Sequence, residues 1–353
     1  MPDWTRSMVQ TFEYFRVDPI TWTDVELLTN VRSCKITRDY QTETLGSATF
    51  EIDGDFVEMY VRVYLVTIQN GVRERFPLGT FLLQSPSTEY TSTIKKIKVD
   101  AYTPLLELKE NRPPIGYTLK RGTNITETVR MLVEDNSRCK ISYTRNDVKL
   151  VSDFVANSND TWLKFITDLL SIAKYTLALD VYGKIFYRPI TTNSSSGSKW
   201  TYQDDETSII DSDISIDNDI FGIPNVVEIN ASYAGDGAFY RAINDRESSP
   251  TSTVNRGRKI IYRETNPKEI GLVTKAAVQE YATRKLEELS TITKVISYTH
   301  GYCPVSIGDT ITINHSKYGI FNLNAQVLSQ DIECIPGTPV TEVALYSEKL
   351  WKA

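Results

Sequence analysis

Over residues 57–83, apolar and polar side chains alternate with a period of two, the signature of β-strands. Met59, Val61, Val63 and Leu65 are expected to face one way, and Tyr60, Arg62, Tyr64 and Val66 the other. Asn70-Gly71 interrupts the alternation with two residues that tolerate positive φ, so a type I′ hairpin turn is predicted there. The chain returns through Phe76-Pro77-Leu78-Gly79-Thr80-Phe81-Leu82-Leu83. Pro77 lacks an N–H, so its strand is expected to be an edge or to carry a bulge. Residues 31–37, 47–52 and 94–99 read as further strands. Three or more strands sharing an apolar face sustain an independent sheet or barrel.

The period then changes. Pro104-Leu105-Leu106-Glu107-Leu108 reads as a short helix, stopped by Arg112-Pro113-Pro114. Asn124-Ile125-Thr126-Glu127 is a capping box opening a helix that carries Val129, Leu132 and Val133. A third helix begins near Ser158-Asn159-Asp160, because Trp162, Ile166, Leu169, Leu170 and Ala173 fall at i, i+4, i+7, i+8 and i+11. A hairpin over 177–189 turns at Tyr182-Gly183. The low-complexity tract Thr191-Thr192-Asn193-Ser194-Ser195-Ser196-Gly197-Ser198 reads as a flexible loop. An acidic passage follows, with Asp204-Asp205-Glu206 and then 211–219.

Residues 226–231 enter the last stretch as a strand, and 266–346 reads as one module. Asn266-Pro267-Lys268-Glu269 has the form of a capped helix start with proline at the first helical position. Val278, Ala282, Leu286 and Leu289 make one apolar stripe behind it. A Gly308-Asp309 turn launches Thr310-Ile311-Thr312-Ile313-Asn314, and 325–328 and 341–346 are further strands. One long helix packed on antiparallel strands is an α+β module of the kind that makes a helix-plugged barrel. The whole chain therefore reads as α+β and mainly β, divided at 1–103, 104–200 and 201–353. The two outer segments are candidates for distant copies of one barrel.

Length and charge narrow the function. A chain of 353 residues suits two or three domains. A net charge of −6 argues against a nucleic-acid-binding surface, while leaving room for a wall that nucleic acid slides past. Cys34, Cys139, Cys303 and Cys334 are far apart and are expected to be reduced, mostly buried thiols. The start lacks a basic region followed by an apolar run, which predicts no secretory signal. No apolar run nears the roughly 18 residues of a membrane helix, so no membrane insertion is expected.

Catalytic chemistry is hard to find. His300 and His315 sit in no catalytic signature and read as structural or surface residues. No His/Cys cluster has zinc spacing. Asp217, Asp219, Gly222 and Glu228 occupy calcium-loop positions, but Phe221 stands where an oxygen ligand is wanted and Ile223-Pro224 does not fit the loop's second half. Gly235-Asp236-Gly237 lacks the third glycine of a dinucleotide loop. Adjacent carboxylates at Asp204-Asp205-Glu206 suit a solvated turn better than a glycosidase cleft. Lys95, Lys96 and Lys98 with Lys120 and Arg121 are the strongest basic spots, and lysines in an alternating strand usually blunt an edge. No cofactor, no metal and no enzymatic activity are expected.

Three stretches resemble a known family, the baseplate hub proteins of phage tails, related to late control protein D and to the base of type VI secretion spikes. The first is the return strand Phe76-Pro77-Leu78-Gly79-Thr80-Phe81 followed by Lys98-Val99-Asp100-Ala101-Tyr102-Thr103-Pro104-Leu105-Leu106. The second is Gly122-Thr123-Asn124-Ile125-Thr126-Glu127-Thr128-Val129. The third runs from Pro224-Asn225-Val226-Val227 to Ser306-Ile307-Gly308-Asp309-Thr310-Ile311. The resemblance implies two tail-tube-like β-barrel domains flanking a smaller mixed α/β insert. It implies a homotrimer joining the hexameric tail tube, or a distal tail protein, on one face to a three-fold spike protein on the other. DNA would pass through the channel without specific binding. It implies a place in the tail baseplate of the virion after synthesis in the host bacterial cytoplasm. Many such relatives carry a C-terminal hydrolase, for which no segment is expected after the last strand here. The Asn70-Gly71 tip and Tyr318-Gly319-Ile320-Phe321 are candidate contact sites, or else plain surface turns. The alternative reading is a tail-associated cell-envelope hydrolase or carbohydrate-binding module.

Overall fold

The computed structural model describes residues 2–55, 57–91, 94–142, 146–190, 197–217, 220–233, 236–267, 270 and 273–352. The chain packs as two units, residues 1–213 with 298–343 and residues 214–297 with 344–353. The first begins with seven strands: β1 (Val9–Val17), β2 (Asp24–Leu28), β3 (Val31–Asp39), β4 (Gly46–Ile52), β5 (Met59–Gln69), β6 (Val72–Thr91) and β7 (Ile94–Tyr102). β5 and β6 are the predicted hairpin. Gln69 pairs with Val72, so Asn70 and Gly71 alone make the turn, at φ 52° and 79°. Pro77 sits at a bulge as expected, since Val63 pairs with Gly79 and Tyr64 with Pro77, leaving Leu78 without an opposite number. Gly46 opens β4 at φ 141°, where a Cβ would lie 2.4 Å from the Thr37 carbonyl oxygen on β3. Only glycine allows that approach.

The next segment holds α1 (Leu106–Glu110), β8 (Thr118–Leu119), α2 (Ile125–Asn136), β9 (Phe154–Val155), α3 (Trp162–Ile172), β10 (Tyr175–Leu179) and β11 (Ile185–Pro189). Asn124 caps α2 as predicted, its side chain accepting from the Glu127 N–H at 3.0 Å. Thr161 caps α3, slightly later than the Ser158-Asn159-Asp160 expected, by accepting from the Lys164 N–H. The predicted stripe of α3 is buried throughout and packs with Leu108, Val129, Val133 and Ile185 in one core. The predicted loop at 191–198 lies outside the described residues up to 196.

β12 (Trp200–Tyr202) and β13 (Ile210–Asp217) lead into the second unit, with β14 (Val226–Tyr233), β15 (Asp236–Ile243), α4 (Thr253–Arg256), β16 (Ile261–Thr265) and α5 (Lys275–Leu289). Here the helix start read at Asn266 is corrected. Thr274 caps α5, accepting from the Ala277 N–H at 3.1 Å. Asn266 has φ 52°, outside the extended range an N-cap needs, and its Oδ1 accepts from the Ser232 N–H. Lys268 and Glu269 lie outside the described residues. Val278, Tyr281, Ala282 and Leu286 of α5 bury against Val227, Ile229 and Ala231 of β14.

The chain continues through β17 (Thr291–Gly301), β18 (Thr310–His315), β19 (Ile320–Glu333) and β20 (Pro339–Lys349). A 13-stranded sheet runs in the order β2-β1-β5-β6-β7-β4-β3-β19, then through β20 and β17 to β13, with β18 and β12 off β19. The fold is thus mainly β, built on a large, chiefly antiparallel sheet. The single module read at 266–346 is also corrected. α5 packs on the three-stranded β15-β14-β16 sheet of the second unit, whereas β18 and β19 belong to the first. The reason is non-local pairing: β19 finds its partner in β3, where Ile332 meets Ile36. In the first unit's core, Phe50, Val61, Val63, Leu65 and Val99 join Tyr302, Ile332 and Val340.

One buried cation ties the helical segment to the sheet. Arg62 is almost fully buried, and its guanidinium donates to Asp24 Oδ1 at 2.5 Å, Thr80 Oγ1 at 3.0 Å, and the Trp22 and Tyr182 carbonyls at 3.2 Å each. Removing one partner of such a buried pair strands the other charge, which costs about 3–5 kcal/mol. The exposed Arg16–Glu26 pair is worth about 1 kcal/mol or less. Urea unfolding is therefore expected to show Arg62→Leu far more damaging than Arg16→Leu; equal effects contradict the assignment.

Candidate interface loops and a buried charge cluster

The first candidate loop is a short, tightly specified turn. Two positive φ values at Asn70 and Gly71 match the right-handed twist of the flanking strands. Exposed apolar residues flank it. Val9 pairs with Ile68 on one face, and Val72 stands opposite Gln69 on the other; Val9 and Val72 are more than half exposed. Glu13 on β1 holds both Arg73 and Arg75, and Arg75 lies over the rings of Phe15 and Tyr64. The tip is thus braced by β1.

The second candidate loop joins β18 to β19. Ser316–Tyr318 is one turn of 3-10 helix closed by Gly319 at φ 68°. Tyr318 stacks on His315 with ring centroids 4.5 Å apart, and Asp204 Oδ2 accepts from the Ser316 N–H and hydroxyl. Those bonds hold the Asp204 carboxyl below its usual range. The anchored turn leaves Phe321 66% exposed, while Ile320 is half-buried. Among the described residues, no hydrogen bond, ion pair or ring contact joins this loop to the Asn70-Gly71 tip. β3, β4 and β7 separate the two hairpins in the sheet.

Sequence reading missed a cluster of buried charge on the inner faces of β17, β19 and β20. Glu342 is fully buried, accepting from the Tyr298 hydroxyl and from Gln330 Nε2 at 2.6 Å, with His300 Nε2 at 3.5 Å. His300 Nδ1 lies 2.7 Å from the Gly301 carbonyl, and Nε2 lies 3.1 Å from the Tyr202 hydroxyl, which also meets Cys303 Sγ at 3.3 Å. Gln330 relays the network to Arg38, whose Nη1 donates to Gln330 Oε1 at 2.9 Å. A signal was available. Tyr298 and His300, and likewise Val340, Glu342 and Ala344, occupy the same inward register at spacing two, so ionisable groups stood at core positions.

Other sequence candidates resolve plainly. Glu228 is clamped by Arg241 and Arg263 at 2.6 Å each, leaving its carboxylate engaged; Asp219 lies outside the described residues. All four cysteines are free and buried. Among the described residues no group of three or more His, Cys, Asp or Glu side chains forms a metal site, and no helix is long and apolar enough to cross a membrane.

Burial by itself pushes the His300 imidazole down, but its bonds to Cys303 and Glu342 outweigh that and raise its pKa to about 10. The folded value lies above the free value. The stabilisation is therefore complete below pH 6.5 and is lost as pH climbs through about 10. The Tyr202 and Tyr298 phenols, held neutral by burial, add loss in the same direction once free phenols ionise. Urea titration is expected to show wild type losing on the order of 3 kcal/mol between about pH 7 and pH 9.5. His300→Gln/Glu342→Gln should be nearly flat over that interval; an equal slope refutes the charged pair.

No protein-family model and no curated protein matches the sequence. Among solved structures, the tail protein from Neisseria meningitidis MC58 is similar over 96% of this chain and 96% of its own, with a TM-score of 0.62 and 13% identity. The 43 kDa tail protein of prophage MuSo2 from Shewanella oneidensis matches 95% of this chain and 98% of its own, at a TM-score of 0.59 and 10% identity. A Francisella PdpA-VgrG complex is similar over 96% of this chain and 53% of the matched chain, at a TM-score of 0.53 and 10% identity. The chain has the fold of phage tail proteins.

Proposed function

We propose that this chain is a non-enzymatic structural protein of a phage or phage-like tail: the homotrimeric baseplate hub joining the hexameric tube to a three-fold spike. The observation that carries the reading is mutual coverage. The likeness to the Neisseria tail protein takes in 96% of each chain, so it concerns a whole architecture and not one shared module. In this reading the strands of residues 1–103 and those of residues 201–353 form the walls of two tube-like barrels that share the β3–β19 seam, and 104–200 is the insert. The separate core running from Leu105 to Tyr187 supports an insert of that extent. Three copies then present six barrels to the tube.

Edge strands support the assembly. β2 ends the sheet order, and its Val25 and Leu27 are about half exposed. An uncovered apolar edge invites pairing with another chain, and closure of a ring covers it. The Asn70-Gly71 tip and the Tyr318-Gly319-Ile320-Phe321 turn are assigned to contacts with the capping tube and spike proteins. The net charge of −6 suits a channel wall that DNA passes without sticking.

Mass photometry of the chain alone is expected to give three times the 40.1 kDa chain mass, and with its candidate spike protein that mass plus the spike's. Val25→Glu/Leu27→Glu should weaken trimer formation at least about tenfold, since it places unpaired charge in an apolar contact. A persistent monomer under both conditions defeats the proposal.

A further inference from the structure

The first unit has a partly open cavity of about 340 Å³, at the small end of the roughly 300–1,000 Å³ typical of ligand pockets. Three cationic residues line it: Arg38, Arg188 and Lys199. Among the described residues none of the three pairs with a carboxylate. Arg38 donates to neutral oxygens only, the Leu78 carbonyl at 2.6 Å, Gln330 Oε1 at 2.9 Å and the Val305 carbonyl at 3.4 Å. Arg188 Nη2 donates to the Ile307 carbonyl at 3.0 Å, and its guanidinium lies 5.6 Å from the centre of the Tyr40 ring.

Each of the two carboxylates on the lining has one oxygen held by backbone N–H groups. Asp180 Oδ1 accepts from the Tyr182 and Lys184 N–H groups, and Asp309 Oδ2 from the Ser306 N–H. Glu342, reached from Arg38 through Gln330, is already matched by His300. The arginine at the end of that relay has no counter-ion of its own. Burial depresses its guanidinium pKa, as expected for a desolvated cation. A buried cation is costly without an anion nearby.

Leu78, Phe81, Leu179 and Phe186 give the wall an apolar side, alongside the hydroxyls of Thr37, Thr80, Thr103 and Ser306. Arg188 is held in place by the turn it lies on. A Cβ at Gly308 would come within 2.4 Å of its Nη2, so the guanidinium and the bare turn fit together. We propose that this cavity binds a small organic anion, an apolar body carrying one carboxylate, with the carboxylate set among Arg38, Arg188 and Lys199. This site is independent of the tail role.

Calorimetric titration of the full chain with benzoate and hexanoate, each against its neutral amide, tests the assignment. The acids are expected to bind at least about tenfold more tightly than benzamide and hexanamide, because only they make charge-assisted hydrogen bonds. Lys199→Met and Arg188→Gln should each erase most of that preference. Equal affinity for acid and amide, binding of inorganic phosphate alone, or no binding of either acid up to millimolar concentration overturns the proposal. The acid–amide comparison uses the unaltered chain, so misfolding of a variant leaves the test intact.

Discussion

The first unit depends on guanidinium groups that have been taken out of water. Arg62 joins the β1–β2 connection, β6 and the turn between β10 and β11 through one side chain. Arg38 does the same between β3, the bulge at Leu78 and the 304–309 loop. A planar cation with five donors can bind several backbone carbonyls at once, which a hydrophobic contact cannot. Apolar burial holds the sheet together. These donors decide which loop sits against which strand.

Around those nodes the packing is specific. Gly183 at φ 84° leaves room for the Trp22 ring, whose Nε1 donates to the Arg138 carbonyl at 2.8 Å. Arg138 in turn binds Glu107, which accepts from the Tyr60 hydroxyl at 2.6 Å. Burial tends to raise the Glu107 pKa, but its bonds to Arg138 and Tyr60 keep the carboxyl below its usual value. The helical segment is therefore oriented on the sheet by polar contacts, while its own core stays apolar. Polar contacts of this kind tolerate little displacement, so they fix how the segment lies on the sheet.

Much of the local structure was legible. The β5–β6 hairpin, its turn at Asn70-Gly71, the bulge at Pro77, the Asn124 cap and the α3 stripe all follow from spacing of two or 3.6 and from residues with restricted or permissive φ. The candidate loops were legible as turns, though nothing local tells a contact from a bare surface. Where local reading failed, at the start of α5, two competent caps stood eight residues apart. Thr274 prevailed while Asn266 took a left-handed turn beside β14.

The amino-acid sequence by itself determined where strands and helices form, because alternation, capping and turn chemistry act between residues a few positions apart. Only the tertiary structure decided which strands meet. β19 pairs with β3, α5 leaves the strands that follow it to cover β14, and Arg38 finds Gln330 from 292 positions away. Those choices rest on burying complementary faces and satisfying buried charges across long separations. Such pairings follow from the whole set of competing faces, and no single stretch contains them.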